Sequence, residues 1–262
     1  MDKNLKIAVY TCITGGYDKL ALPLLVDSRI DYFCFTDNDA YYFDDFWSVK
    51  LLNLPDLDNK DVNRYVKMHP HIFLSDYDIT VYIDGNIEIV GELYELLSKV
   101  DKLDDVFFAY RHSERNCIYS EGAACSYYSH DWIWNIAKKM RDYSESHYPM
   151  NNGLVSANVL IRKKNLQMST LMDAWWLAYQ NGVKRDQLSL PYVSWKLNIP
   201  IHYLGINNFT YFNIVGHSKK RSRSIKITLR KYINRAIALF IPYHVLFSVP
   251  SKISRKKPFL SI

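Results

Sequence analysis

The chain has 262 residues, 48% of them hydrophobic, and a formal net charge of +6. This length and apolar content suffice for a packed core and exclude an intrinsically disordered chain. The four cysteines form no CxxC pair, which argues against a zinc site and fits a reducing compartment. The first apolar run is too short for the core of a secretory signal, so we expect a cytoplasmic protein.

Hydrophobic patterning predicts alternating strands and helices over the first two hundred residues, which indicates the α/β class. In chain order, strands are predicted at residues 6–12, 32–36, 47–52, 80–83, 106–110, 153–161 and 199–204. Helices are predicted at residues 59–68, 93–100, 132–143, 166–180 and 186–197. We expect one sheet flanked by helices, in a single large domain over residues 1–217.

Polar clusters follow four of the predicted strands, at residues 11–17, 37–38, 84–86 and 111–112. Ligand sites of open α/β sheets gather at the carboxyl ends of the strands. We therefore expect these clusters to converge on one site.

The segment Asp84-Gly85-Asn86 follows the apolar strand predicted at residues 80–83. A carboxylate and an amide oxygen are hard ligands that suit Mg²⁺ or Mn²⁺, and glycine leaves room for a ligand. The same tripeptide between apolar runs is also typical of a hairpin turn. Both interpretations are open from the tripeptide alone.

Seven short motifs carry a family resemblance. They are YTCITGGYD at 10–18, FTD at 35–37, RYVKMHPH at 64–71, YIDGN at 82–86, RH at 111–112, NNG at 151–153 and RDQ at 185–187. In this order they resemble the glycosyltransferase-like domain of plant mucilage-related and bacterial capsule-type proteins, over about residues 5–217. The resemblance implies a GT-A architecture, Rossmann-like and with a mixed sheet, a nucleotide-sugar donor and a divalent metal.

In this family context, Asp84 and Asn86 are the predicted ligands of Mn²⁺ or Mg²⁺. Asn86 departs from the usual second carboxylate of such sites and lowers the charge of the site. His217 is the predicted third ligand, with Lys219 on the phosphates; the alternative is a solvent-exposed histidine. The metal would offset the charge that develops on the leaving diphosphate.

The donor is expected to contact the residues that follow the first two strands. The predicted nucleotide-sugar ligands there are Thr11, Thr14, Gly15, Gly16, Tyr17 and Asp37. Arg64 and Lys67 share a helix face and are expected to bind the diphosphate, Arg as a fork and Lys as a point charge. Each has a structural alternative, namely turn residues or a solvated helix face.

The remaining motifs are assigned to the transferred sugar and to catalysis. Arg111, His112, Asn151, Asn152 and Gly153 are predicted to contact the donor. Asp186, with Gln187 beside it, is the predicted catalytic carboxylate, and Glu121 is the second candidate. Asp186 has a structural alternative as the N-cap of the following helix.

Residues 218–262 carry twelve Lys or Arg and no acidic residue, so residues 1–217 carry a net charge of −6. A helix from residue 225 to 240 would gather aliphatic side chains on one face and basic ones on the other. This pattern predicts a basic amphipathic tail on an anionic membrane surface, rather than nucleic-acid binding. The alternative is a helix that packs on the domain or on a second subunit.

The sequence thus predicts a metal-dependent glycosyltransferase at the inner face of the membrane. Its donor is expected to be a UDP-sugar, and its acceptor a polysaccharide or lipid-linked glycan of surface polysaccharide biosynthesis. One alternative is an inactive transferase-fold scaffold at the membrane. Another is a sugar-nucleotide pyrophosphorylase, although the turn at Thr14-Gly-Gly-Tyr17 is shorter and less basic than that class requires.

Overall fold

The computed structural model describes residues 5–38, 46–217, 225–250 and Ile253. The strands are β1 (Ile7–Ile13), β2 (Ile30–Thr36), β3 (Ser48–Leu51), β4 (Ile79–Ile83), β5 (Ile87–Ile89), β6 (Phe107–Arg111), β7 (Val155–Lys163), β8 (His202–Tyr203) and β9 (Phe212–Ile214). The α-helices are α1 (Asn59–Met68), α2 (Pro70–Phe73), α3 (Leu93–Asp101), α4 (Ile118–Tyr127), α5 (Ile133–Glu145), α6 (Leu166–Gln180), α7 (Leu190–Leu197), α8 (Ile225–Phe240) and α9 (Tyr243–Leu246).

The chain divides into two compact units. The first comprises residues 1–110, 157–176 and 200–220, and the second comprises residues 111–156, 177–199 and 221–262. Each unit has its own core of buried apolar side chains. The predicted boundary after residue 217 stays a prediction, and the described tail residues fall in the second unit.

A seven-stranded sheet of order β3-β2-β1-β4-β7-β6-β8 dominates the first unit. β1 runs parallel to β2 and β4, whereas β7 runs antiparallel to β4. Every residue of β1 and β4 is buried, as expected for apolar strands covered on both faces. This mixed sheet with flanking helices confirms the predicted α/β class and is consistent with a GT-A-like domain.

The register brings the ends of three parallel strands level. Tyr10 of β1 pairs with Phe33 of β2 and with Tyr82 of β4. The segments that leave β1, β2 and β4 therefore emerge at one edge of the sheet, which we call the carboxyl edge. A separate two-stranded sheet pairs β5 with β9 and brings the chain after β9 back to the segment after β4.

The second unit is mainly helical. α4, α5, α7, α8 and α9 belong to it, with a core that includes Ile136, Met140, Leu188 and Phe247. The single helix predicted at residues 186–197 is wrong: a 3-10 turn covers Asp186–Leu188, and α7 then begins at Leu190. Pro191 lies in the first turn of α7, where its missing N–H costs nothing, and so it starts a new helix.

The predicted helix in the tail is present as α8. Its Asn234 is fully buried: the side-chain oxygen accepts from the Ile133 N–H (2.9 Å), and the amide donates to the carbonyls of Ser126 (2.9 Å) and Asp131 (2.8 Å). α8 is thereby fixed to the turn between α4 and α5. None of the helices in the described part of the chain is long and apolar enough to cross a bilayer.

Candidate functional site

The carboxyl edge of the first unit joins two of the predicted donor segments. The Gly15 N–H donates to both oxygens of Asp37, at 3.0 and 2.9 Å. Gly15 and Gly16 both have positive φ, a conformation that glycine adopts without a steric penalty. An open depression of about 430 Å³ lies against these three residues, with Asn38 and Leu51 also lining it.

The other residues of the first-strand segment have different environments. Thr11 lies inside β1 and is buried, so the segment that leaves the strand is shorter than predicted. The Thr14 hydroxyl donates to the Asn59 carbonyl (2.6 Å) at the start of α1. Tyr17 is exposed, with its ring 5.1 Å from that of His217.

Asp84, at the end of β4, is anchored through one of its two carboxylate oxygens. Oδ1 accepts from the Tyr82 hydroxyl (2.9 Å) and from Lys67 Nζ (3.4 Å). Burial, and then the adjacent carboxylate, raises the pKa of Tyr82 well above its usual value, so this hydroxyl stays protonated. Within the described residues no hydrogen bond reaches Oδ2, and the side chain is 28% exposed.

Lys67 and Arg64 lie on α1 as predicted, but their side chains are oriented differently. The Lys67 side chain is 1% exposed, and its ammonium faces Asp84 rather than solvent. Its backbone carbonyl accepts from the buried Tyr10 hydroxyl (3.1 Å), to which Arg162 Nη1 also donates (2.6 Å). Arg64 is half-buried and donates to Asn63.

Asp18 is the carboxylate that the sequence reasoning did not assign. It is buried, and each of its oxygens lies 3.1 Å from Nδ1 of His217. Because a carboxylate only accepts, Nδ1 carries the proton and the lone pair is on Nε2. A Cβ built on Gly85 would lie 3.1 Å from Asp18 Cβ, so Asp18 also adjoins the Asp84-Gly85-Asn86 turn.

Asn86 connects that turn to the segment after β9. Its side-chain amide donates to the Val215 carbonyl (3.0 Å), and the Val215 N–H donates to the Asn86 carbonyl (2.9 Å). These two bonds fix the chain two residues before His217. The side-chain oxygen of Asn86 takes no part in the hydrogen bonds with Val215.

A divalent cation fits the chemistry of these donors. Asp84 Oδ2, Asn86 Oδ1 and His217 Nε2 have no hydrogen-bond partner among the described residues. The Asp18 contact is the carboxylate–histidine pairing that orients a ligating imidazole. Across the described part of the chain, no three His, Cys, Asp or Glu side chains are gathered as a metal-binding group. The third predicted donor is an amide, outside those residue types.

Glu121 is the centre of a buried ionic network in the second unit. Its carboxylate accepts from Arg115 Nε (2.7 Å) and Arg185 Nη2 (3.4 Å), and its side chain is 2% exposed. His112 Nε2 lies 3.0 Å from Arg115 Nη2. Burial, followed by Arg115, lowers the pKa of His112, so the ring is neutral at pH 7. The network joins two predicted site residues through arginines.

Gln187 belongs to the same network through Arg185, and Asp186 lies next to it in the 3-10 turn. Gln187 accepts from Arg185 and donates to the Val155 carbonyl (3.1 Å). Asp186 is buried, and its Oδ1 accepts from the Gln187 N–H (3.0 Å). The position before the 3-10 turn is Arg185, so the N-cap alternative for Asp186 is wrong.

The other predicted sugar contacts also lie in the second unit. Asn151 and Asn152 are exposed, Asn151 has positive φ, and the Gly153 N–H donates to the Asn116 carbonyl (2.9 Å). Arg111 is exposed at the end of β6. Lys219 lies outside the described residues.

Two functional candidates, Asp18 and Arg115, were missed in the sequence. Asp18 directly follows the Thr14-Gly-Gly-Tyr17 turn at the end of the first strand, a position where a carboxylate meets ligands. That position was a usable signal. Arg115 has no motif around it, and its contacts with Glu121 and His112 follow from folding alone.

A family model, the TOD1/MUCI70 glycosyltransferase-like domain, matches residues 1–219. The chain belongs to this family. The match confirms the predicted resemblance and gives the TOD1/MUCI70 domain of this chain a glycosyltransferase-like role. No curated protein matches the chain.

Proposed function

We propose that this member of the TOD1/MUCI70 family transfers a sugar from a nucleoside-diphosphate sugar, with UDP as the favoured nucleotide. The observation that carries the proposal is at the carboxyl edge of the first unit. There Asp84, Asn86 and His217 each keep a donor atom that no other described residue hydrogen-bonds. The depression beside Gly15 and Asp37 supplies an adjacent space for the nucleotide.

A Mn²⁺ or Mg²⁺ ion held by these three donors would act as a Lewis acid toward the diphosphate. Asp18 fixes the His217 imidazole so that Nε2 is the ligating atom. Lys67 contacts Asp84 from the buried side and orients its carboxylate. The exposed backbone at Gly16, where a Cβ would meet nothing within 4 Å, allows close approach of a ribose or base.

For the transfer step, we propose Asp186 as the carboxylate that deprotonates the acceptor or positions the sugar. Its side chain holds the N–H of Gln187, and Gln187 is tied to Arg185. Glu121 is assigned a positioning role, because two arginines already occupy its oxygens. The acceptor is proposed to be a polysaccharide or lipid-linked glycan in surface polysaccharide synthesis, met at the inner face of the membrane.

Two other functions are alternatives that an experiment can distinguish from the transferase. A sugar-nucleotide pyrophosphorylase needs a longer basic loop after its first strand than Gly15-Gly16-Tyr17 provides. An inactive scaffold would not need three donor atoms near one glycine turn that have no partner in the described part of the chain. The donor atoms therefore favour the transferase.

A thermal-shift screen of UDP, GDP and CMP, each with and without Mn²⁺, tests the proposal. A bound nucleotide stabilises the folded state by mass action, so UDP with Mn²⁺ should raise the Tm by about 2–4 °C. Each nucleotide without Mn²⁺ should give a smaller shift. If no nucleotide shifts the Tm with or without Mn²⁺, the scaffold is favoured and the proposal fails.

A further inference from the structure

The apolar side of α8 is turned away from the unit on which the helix packs. Buried or half-buried positions, including Ile227, Asn234, Ile237 and Ala238, lie on one side of the helix. The opposite side carries Ile225, Leu229, Tyr232, Leu239 and Phe240, which we call the docking face. Its side chains are exposed, from 54% at Leu229 to 88% at Ile225.

Further exposed apolar residues lie near α8. Ile241 follows the last residue of α8 and Val245 lies in α9, and both are exposed. In and beside the turn between α4 and α5, to which Asn234 fixes the helix, Tyr127, Tyr128 and Trp134 are exposed as well. Exposed apolar side chains in this number mark an interaction surface.

The charges on α8 itself have a single sign. α8 carries four basic residues, Lys226, Arg230, Lys231 and Arg235, and residues 225–250 include no acidic one. Lys226 and Lys231 are exposed on opposite sides of the apolar stripe. The Arg235 guanidinium lies 3.9 Å from the Tyr127 ring centroid, which holds it at the same surface.

We propose that the docking face, with Tyr127, Tyr128 and Trp134, binds anionic lipid head groups while α8 lies in the plane of the membrane interface. This deepens the membrane location in the proposed function by naming the surface. An apolar stripe flanked by cations is the pattern of an interfacial helix, and Trp and Tyr are enriched at the head-group level. A second copy of the chain is disfavoured, because symmetric pairing would bring the four cations of each α8 against like charges.

Co-sedimentation of the full chain with vesicles tests the surface. The parent should bind vesicles that contain about one third phosphatidylglycerol and should dissociate as salt rises to about 0.5 M. It should bind pure phosphatidylcholine vesicles more weakly. The double variant Leu229→Ser/Phe240→Ser should lower the partition coefficient roughly tenfold or more on both vesicle types.

Two further double variants separate the apolar and charged contributions. Lys226→Gln/Lys231→Gln should weaken binding to anionic vesicles roughly tenfold or more at low salt and leave binding to neutral vesicles unchanged. The matched control is Leu166→Ser/Leu177→Ser, which removes two exposed leucines from α6 (82% and 61% exposed). The control should bind vesicles like the parent.

Several results would overturn the proposal. One is a parent that does not bind anionic vesicles; another is a docking-face variant that binds them as tightly as the parent. A parent that sediments as a dimer, with a monomeric Leu229→Ser/Phe240→Ser variant and unchanged vesicle binding, would assign the face to a second copy. UDP binding, measured on the same proteins, separates this test from the proposed function. Vesicle binding without UDP binding contradicts only the transferase, and the reverse contradicts only the lipid surface.

Discussion

Both hydrogen bonds of the Asp84 carboxylate are to Oδ1, and no described residue donates to Oδ2. Tyr82 donates to Oδ1 as a neutral hydroxyl, and the buried Lys67 ammonium lies 3.4 Å away. Removal of the whole side chain would take the shared acceptor from the Tyr82 hydroxyl and the Lys67 ammonium, so it would disturb the fold as well as the site. Asp84→Asn keeps an oxygen that can accept from both groups and removes only the charge, which makes it the sharper variant.

Substitutions of the two candidate carboxylates of the second unit, Glu121 and Asp186, should differ in their effects on stability and turnover. Glu121→Gln removes the buried anion that Arg115 and Arg185 share, so the free energy of unfolding should fall by about 3 kcal/mol. Asp186→Asn keeps an acceptor for the Gln187 N–H and should change stability less. Its turnover should fall by roughly 10²–10⁴, with UDP binding retained.

Denaturant unfolding and steady-state transfer assays measure both effects. A Glu121→Gln protein as stable as the parent would contradict the ionic network. An Asp186→Asn protein with parental turnover would leave Asp186 a structural residue of the 3-10 turn.

At the level of residues, the sequence located candidate donor atoms but not their surroundings. Asp84, Asn86 and His217 were identified from motifs, and the structure brings their segments together through the Asn86–Val215 bonds. The pairing of Asp18 with His217 spans 199 positions, so no local pattern records it. The burial of Lys67 was missed because helix spacing alone does not say which side faces the core.

Among the elements, long periodic segments were predicted well. The helices at 59–68 and 166–180 have the predicted bounds, and β4 lies where the apolar run placed it. β9 was missed, since three residues carry too little pattern and its pairing with β5 is long-range. The strand predicted at 199–204 reduces to His202–Tyr203, because only these residues pair with β6.

α8 shows why amphipathicity does not identify the packed side. Asn234, a polar residue, is at the centre of the contact because it satisfies the Ile133 N–H at the start of α5. The first N–H groups of a helix have no partner within the helix, and Trp132, the residue at the cap position, gives no side-chain bond. The packed side of α8 is therefore centred on a hydrogen-bonded side-chain amide and not on an apolar side chain.

The role of Asn234 gives a prediction on stability. Asn234→Ala removes the acceptor of the Ile133 N–H and the donor to the Asp131 carbonyl, and takes one of its donors from the Ser126 carbonyl, so the free energy of unfolding should fall by about 3 kcal/mol. The control Ala236→Ser, at an exposed position of the same helix, should change it by less than about 0.5 kcal/mol. Equal urea midpoints for parent and Asn234→Ala would show that α8 is not fixed at this turn.

At the scale of the whole molecule, one chain forms two compact units. The predicted α/β class holds for the sheet-bearing unit, whose longer strands were predicted from the sequence, and the family match covers residues 1–219. The second unit gathers three segments distant in sequence, and no composition shift marks their association. Chain order therefore predicted the sheet more completely than the division into units.

Stability should fall on mild acidification because each unit buries a neutral histidine. Burial is the main cause that lowers the pKa of His69 in the first unit and of His112 in the second. Between pH 6.5, the usual histidine pKa, and each lowered pKa, the unfolded chain binds more protons than the folded one. The contribution of these histidines to the free energy of unfolding should therefore be fully present above about pH 6.5 and should decrease as the pH falls toward 5.

The histidine variants check the origin of that decrease. His69→Gln and His112→Gln should each flatten the stability profile between pH 7 and 5, measured by urea unfolding at each pH. His244, which is half-buried in α9, gives a matched control in His244→Gln. A profile equally steep in the parent and both variants would assign the pH dependence to other groups.

The central claim is that the carboxyl edge of the first unit binds a nucleoside diphosphate through a divalent cation held by Asp84. Calorimetric titration of UDP in Mn²⁺ into the parent, Asp84→Asn and Asp78→Asn tests it most directly. Asp78 precedes the other end of β4 and serves as the matched carboxylate control. We expect the parent and Asp78→Asn to bind alike and Asp84→Asn to bind at least roughly tenfold more weakly. Equal affinity of the parent and Asp84→Asn for UDP in Mn²⁺ would contradict the account.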